Sequence, residues 1–311
     1  MQISNLNIPK DARTKRIIPQ EFTQKTSERI YSRDPFILLC DGKYYFYQRA
    51  ENGVCCSLSL DLENWSEPVM VYTMPKDFHG IKDLFWAPEC HYYKGNFYLF
   101  TSVFSNRTGR RNIAVYRSKD PLGPFVDISD GCVGKPEWDT IDGTLYVDKE
   151  GKPWLVFVHE WTGNPDKVGR MAVARLSDDL SHIASEPKDI FKATDTEFAR
   201  NSITDGPYLY ETESGRLIMI WSNFGKKGYF IAKAYSDNGI DGEWKQEDEL
   251  LYEKEIKPEF AFDGGHGMIF ADKYGKLRLA LHTPNIPVDG TYEHLLILEI
   301  QESDNTLKIK I

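Results

Sequence analysis

Ile141-Asp142-Gly143-Thr144-Leu145-Tyr146-Val147-Asp148 leads into the turn Glu150-Gly151-Lys152 and an apolar run that ends in His159-Glu160-Trp161. A short anchor opens an apolar strand, a turn centred on glycine reverses it, and a second apolar strand returns. Glycine supplies the positive φ that tight hairpins need. Four more copies surround this one. Their anchors are Arg33-Asp34-Pro35-Phe36, Trp86-Ala87-Pro88-Glu89, Thr204-Asp205-Gly206-Pro207 and Gly264-Gly265-His266-Gly267. Their turns are Asp41-Gly42-Lys43, Lys94-Gly95-Asn96, Ser214-Gly215-Arg216 and Tyr274-Gly275-Lys276. A period of roughly fifty to sixty residues in an all-β chain is that of propeller blades.

Behind the hairpins, segments 54–58, 113–121, 171–179 and 230–238 repeat a third apolar strand followed by a turn. Each unit thus holds about four strands, the size of a blade. The expected fold is all-β: a five-bladed β-propeller forming one domain over residues 1–311. Residues 1–29 are polar, carry Pro9 and Pro19, and read as an extended lead-in. Segment 187–196 reads as loop, and Arg107-Thr108-Gly109-Arg110-Arg111 as a solvated loop.

Composition narrows the function. The net charge is -9 and no Lys/Arg run occurs, which disfavours nucleic acid and suits a neutral glycan. No stretch has the apolar length of a membrane-spanning helix. Met1-Gln2-Ile3-Ser4-Asn5-Leu6-Asn7 lacks the apolar core of a secretory signal. The expectation is a cytoplasmic protein, or a secreted or periplasmic one if a signal has been removed. Five cysteines without zinc-type spacing read as buried thiols in a reducing compartment.

Blades stand radially with their first strands around a channel, so their anchors meet on one rim. In an antiparallel hairpin the end of the second strand returns to that rim. It therefore gathers Asp34, Glu89, Asp142, Glu160 and Asp205, the basic residues Arg49, His159, His266 and His282, and Trp86, Trp161 and Trp221. Carboxyls transfer protons at an acetal, and aromatic faces cover a sugar ring. Each piece also has a plainer reading. Asp-Pro and Asp-Gly are ordinary turn pairs, Trp86 alone fits a core, and Arg33 and Arg200 suit either pairing with the acids or contact with hydroxyls. His266, between two glycines, reads as a site of close approach.

Arg33-Asp34-Pro35, Trp86-Ala87-Pro88-Glu89, the stretch from Ile141 to Asp148, and Gly264-Gly265-His266-Gly267-Met268 resemble glycoside hydrolase family 43. The resemblance runs from about residue 30 to the end. It implies an inverting arabinofuranosidase, xylosidase or arabinanase on a five-bladed propeller. By resemblance, Asp34 is the general base that activates water, and Asp142 tunes and orients the acid. The family's acid is a Glu in a Glu-Gly-Pro segment, and here that segment is Thr204-Asp205-Gly206-Pro207-Tyr208. Asp205 and Glu160 are both candidates for the acid, with Glu160 favoured for its longer side chain. Glu89, Trp86, Trp161, Trp221, Arg200 and His266 are the expected sugar contacts. The resemblance also suggests calcium near His266 in the central channel, with no cofactor required for the reaction. Two other functions stay open. One is a glycan-binding propeller without catalysis. The other is a fructan-type hydrolase, suggested by Arg33-Asp34-Pro35 and Glu89-Cys90, although nothing upstream supplies that group's Asn-Asp-Pro-Asn segment.

Overall fold

The structure, a computed structural model, describes residues 8, 9, 12, 25, 26, 30–76, 78, 84–288 and 290–310. The chain is a five-bladed β-propeller built from five antiparallel sheets. The first strands of the blades are Phe36–Cys40, Trp86–Tyr93, Thr140–Val147, Asp205–Glu211 and Gly265–Ala271. Each contacts the first strand of the next blade, and the fifth contacts the first, closing the ring. The second strands, Lys43–Ala50, Asn96–Ser105, Pro153–His159, Leu217–Gly225 and Leu277–Thr283, pair with them through the hairpins. The hairpin glycines have φ from 69° to 89°, as their turns require.

Apolar residues on both faces of each sheet pack against the neighbouring blades, so strands such as Phe97-Tyr98-Leu99-Phe100 are buried nearly throughout. That explains their continuous rather than alternating hydrophobicity. Closure between the chain ends uses backbone. Tyr31 bridges to His294, the Ser32 amide donates to the Glu293 carbonyl, and the Leu295 amide donates to the Ile30 carbonyl.

Three local expectations change. Segment 187–196 holds the strand Lys188–Lys192, the outer strand of blade three, followed by a 3-10 turn at Ala193–Asp195. Arg110 and Arg111 belong to the strand Arg110–Ser118 and not to a loop. Most of the lead-in lies outside the described residues, but Lys25–Thr26 is a strand paired with Asn64–Trp65 of blade one. The five cysteines stand outside any disulfide, and Cys40, Cys56 and Cys90 are buried. Among the described residues no helix is long and apolar enough to cross a membrane.

Candidate functional site

One residue at the head of each first strand adopts the left-handed conformation: Asp34 (φ 52°), Ala87 (44°), Asp142 (53°), Gly206 (51°) and His266 (48°). In blades two to five this residue sits in a bulge, with register shifts between Trp86 and Glu89, Ile141 and Thr144, Asp205 and Tyr208, and Gly265 and Met268. Bulges re-aim side chains and free backbone amides from the ladder. In four blades the amide of this left-handed residue is held by the preceding blade. The Asp142 amide donates to Ser102 Oγ at 2.8 Å and the His266 amide to Ser222 Oγ at 2.8 Å. The Gly206 amide donates to Asp142 Oδ2 at 3.0 Å, and the Asp34 amide to His282 Nδ1 at 3.2 Å. Non-glycine residues at positive φ cost roughly 1–3 kcal/mol each, and these interblade bonds hold the geometry in place.

The alignment also moves one acid. Asp34, Asp142 and His266 occupy the left-handed position, but in blade four that position is Gly206. Asp205 lies one residue earlier, paired with Ser222. It is therefore not the blade equivalent of Asp34 and Asp142, and it approaches the rim from a different direction.

The rim surrounds a cavity of about 500 Å³ lined by Asp34, Asp142, Glu160, Asp205, His266, Trp86 and Trp161, together with Arg33, Arg49, Arg111, Ile141, Thr162, Ile203, Phe224, Tyr229 and Asn285. Seven of the expected site residues thus meet in one place. Trp86 and Trp161 are partly exposed there. Three expected contacts lie elsewhere. Trp221 is fully buried: next to Ser222 it points to the opposite face of the sheet, packs on Phe191 at 5.3 Å and donates from Nε1 to Gln246 Oε1. Glu89, beyond its bulge, is buried and joined to His91 Nε2 at 2.8 Å. Arg200 turns its guanidinium to the Glu197 and Ala199 carbonyls, and its amide donates to the Phe224 carbonyl. It braces a wall of the cavity from behind.

Glu160 does line the cavity, but its Oε2 accepts from Arg111 Nε at 2.6 Å and from the Thr162 hydroxyl at 2.8 Å. Both partners deliver hydrogens to it, the arrangement of an acceptor and not of a proton source. The Arg111 guanidinium also lies 5.9 Å from the Trp86 ring centroid. Asp205 has a different partner, the Tyr229 hydroxyl, 2.9 Å from Oδ2. Tyr229 and Arg111 escape a reading of first-strand starts and second-strand ends alone. Both lie at the start of third strands, Gly228–Ser236 and Arg110–Ser118, which begin on the same rim.

Charge divides the cavity. Burial alone would raise Asp34, but the His266 charge and hydrogen bond, with Nδ1 at 3.1 Å from Oδ1, and the nearby Arg33 hold it far below the usual carboxylate range. Burial likewise would lower His266, yet Asp34 and Asp142 overcome it and lift the imidazole to about 10. Asp142 and Asp205 move the other way. Burial raises both, and Asp34 and Glu89 add to the rise at Asp142 while Asp142 and Asp34 add to it at Asp205. Two such carboxyls resist joint ionisation and titrate as a pair. His282 is lowered chiefly by burial and is neutral. Its Nδ1 accepts from Asp34, so Nε2 carries the hydrogen directed at Asn285 Oδ1, 3.0 Å away.

Among the described residues no group of three or more His, Cys, Asp and Glu side chains is arranged to hold a metal. Calcium takes oxygen ligands.

Comparison with known proteins agrees with this geometry. The sequence profile of Glycosyl hydrolases family 43 matches residues 29–307. The chain is 34% identical to an endo-arabinase structure from Bacteroides thetaiotaomicron, with a TM-score of 0.82 over 92% of this chain and 99% of that one. A structure of an endo-1,4-beta-xylanase from the same organism superposes at a TM-score of 0.78, with 26% identity over 93% and 97% of the two chains. An extracellular exo-alpha-(1->5)-L-arabinofuranosidase of Cellvibrio japonicus is 26% identical over 52% of this chain and 48% of its own length. An extracellular endo-alpha-(1->5)-L-arabinanase of Bacillus subtilis is 30% identical over 36% of this chain and 38% of its own. The matches thus span less than half the length of these two relatives. With the propeller, the cavity and the profile over nearly the whole chain in agreement, the protein belongs to glycosyl hydrolase family 43.

Proposed function

We propose that this chain is a glycosidase that hydrolyses α-L-arabinofuranosyl linkages with inversion, β-D-xylosyl linkages being the second class to test. The observation that carries the reading is one cavity in which Asp34 meets the His266 imidazole at 3.1 Å while Asp142 and Asp205 are desolvated together, an arrangement that favours an ionised Asp34 and a proton held on the other pair. Inverting hydrolysis needs one carboxylate to take a proton from water and one carboxyl to give a proton to the departing oxygen. In this reading Asp34 activates the water. Asp205 protonates the leaving group, and Asp142 keeps Asp205 protonated by repulsion while bonding to the Gly206 amide beside it. Glu160, bound to Arg111, shapes the wall next to Trp86 and Trp161, whose faces suit the apolar side of a sugar ring. The activities named for the Bacteroides endo-arabinase, the Cellvibrio arabinofuranosidase and the Bacillus arabinanase favour arabinofuranosides, and the one named for the Bacteroides xylanase keeps xylosides as the second class.

The test is turnover of nitrophenyl α-L-arabinofuranoside and β-D-xyloside and of α-1,5-arabino-oligosaccharides, with the first-formed anomer read by proton NMR. Release of the inverted sugar from the arabinose substrates is expected. A retained anomer overturns the mechanism. Binding of arabino-oligosaccharides without turnover makes the protein a glycan-binding propeller.

A further inference from the structure

We infer that the Tyr229 hydroxyl relays the proton from Asp205 to the leaving oxygen, so that the acid of this site is a carboxyl and a phenol acting in series. The inference rests on Asp205 being the proton source in the function proposed above. Tyr229 is only 3% exposed, yet it lines the cavity. Its ring is fixed from several sides. The backbone amide donates to Asp263 Oδ2 at 2.9 Å, Phe224 lies 4.8 Å away, and His282 lies 5.7 Å away and nearly parallel. Behind it, a Cβ on Gly265 would come within 2.5 Å of the ring, so that position admits no side chain. Phenylalanine would meet all of these packing contacts. The hydroxyl is what distinguishes the residue, and the hydrogen bond it makes is the one to Asp205, 2.9 Å from Oδ2.

Asp205, paired with Ser222 just ahead of the bulge and partly exposed to the cavity, reaches into it with only a short side chain. A phenol both donates and accepts. When Asp205 is protonated, its O–H donates to the phenol oxygen and leaves the phenolic hydrogen free to point into the cavity. In the step itself, the bond from the anomeric carbon to the leaving oxygen breaks and its electron pair stays on that oxygen. That oxygen takes the phenolic hydrogen while the phenol oxygen takes the Asp205 proton. Water forms the new bond to the anomeric carbon and gives a proton to Asp34. The phenol begins and ends neutral, Asp205 ends ionised and Asp34 protonated, and exchange with solvent resets both. Burial and the surrounding carboxylates hold the Tyr229 hydroxyl well above its ordinary range, so no phenolate accumulates.

The experiment compares the full chain with its Tyr229→Phe and Asp205→Asn variants on aryl arabinofuranosides of graded leaving-group acidity and on an α-1,5-arabino-oligosaccharide. A relay predicts that Tyr229→Phe lowers kcat on the oligosaccharide by at least about 10²-fold and leaves dinitrophenyl release nearly unchanged. The plot of log kcat against leaving-group pKa should steepen as it does for Asp205→Asn. Adding Asp205→Glu to Tyr229→Phe should recover about tenfold or more on the oligosaccharide, because the longer carboxyl reaches the oxygen directly. A uniform loss, or none, in Tyr229→Phe beside a steepened Asp205→Asn overturns the relay and leaves the glycosidase reading standing. A flat dependence in Asp205→Asn overturns the relay together with the assignment of Asp205 as the acid.

Discussion

Asp34 and Asp205 face the same cavity from blades one and four, in surroundings of opposite charge. Around Asp34 stand the cations of His266 and Arg33, and the aspartate stays ionised to low pH. Around Asp205 stand Asp142 and a neutral phenol, and the carboxyl is pushed up. His266 lies between the two sides, 3.1 Å from Asp34 and 3.8 Å from Asp142, and its cation lowers all three acids. Two residues of one chemical type thus acquire opposite duties from the sign of their neighbours. The same logic separates acid from base in other carboxylate enzymes.

The most damaging way to break the comparison is at the ionised side. Asp34→Asn removes the base yet keeps a residue that tolerates positive φ, so the fold should survive. We expect kcat to fall at least about 10²-fold with thermal unfolding little changed. Near-normal turnover of an oligosaccharide would remove Asp34 from the role.

His266→Asn should move both limbs of the pH profile in the same direction. Without the imidazolium, Asp34 rises toward an ordinary carboxylate and the acidic limb of kcat/KM shifts to higher pH. Asp142 and Asp205 lose the same favourable charge, rise further, and carry the alkaline limb upward as well. Shifts of about one unit or more are the scale of a close charge. Opposite movement of the two limbs would show that His266 does not serve both sides.

Asp142→Asn sharpens the contrast by touching one side more than the other. Loss of its negative charge lowers Asp205, so the alkaline limb should retreat toward lower pH, again by about a unit. The amide oxygen can still accept from Gly206. An alkaline limb that stays in place limits Asp142 to holding the backbone of blade four.

Arg111→Gln is the mildest test. It frees Glu160 from its charged partner and removes the cation above Trp86. If Glu160 lies outside the acid–base pairing, KM should rise severalfold, in line with about 1 kcal/mol for a lost polar contact. Neither pH limb should move. A new alkaline limb would bring Glu160 back into the proton chemistry.

Much of this site was legible beforehand, because its determinants are local. Each anchor heads a strand and each turn carries glycine, so Asp34, Asp142, Asp205, Glu160, Trp86, Trp161 and His266 could be placed on one rim from strand direction alone. Trp221 could not, since its neighbour Ser222 looks equally well placed until the register shows which of the two faces blade five. Tyr229 and Arg111 were hidden for a related reason: they reach the cavity from third strands, whose starting points blur into the preceding turn.

What the amino-acid order determined by itself is the five-fold repeat, the strand directions and the set of residues brought to the rim. These follow from side-chain polarity, turn chemistry and the two-residue period of a strand. The tertiary structure decided the rest. A one-residue bulge makes Gly206, and not Asp205, the counterpart of Asp34. Contacts between distant segments gave Glu160 to Arg111 and Asp205 to Tyr229. The protonation of each carboxyl is a sum over charges from several blades and the water they exclude. Such sums depend on distances in space, which the order of residues along the chain does not contain.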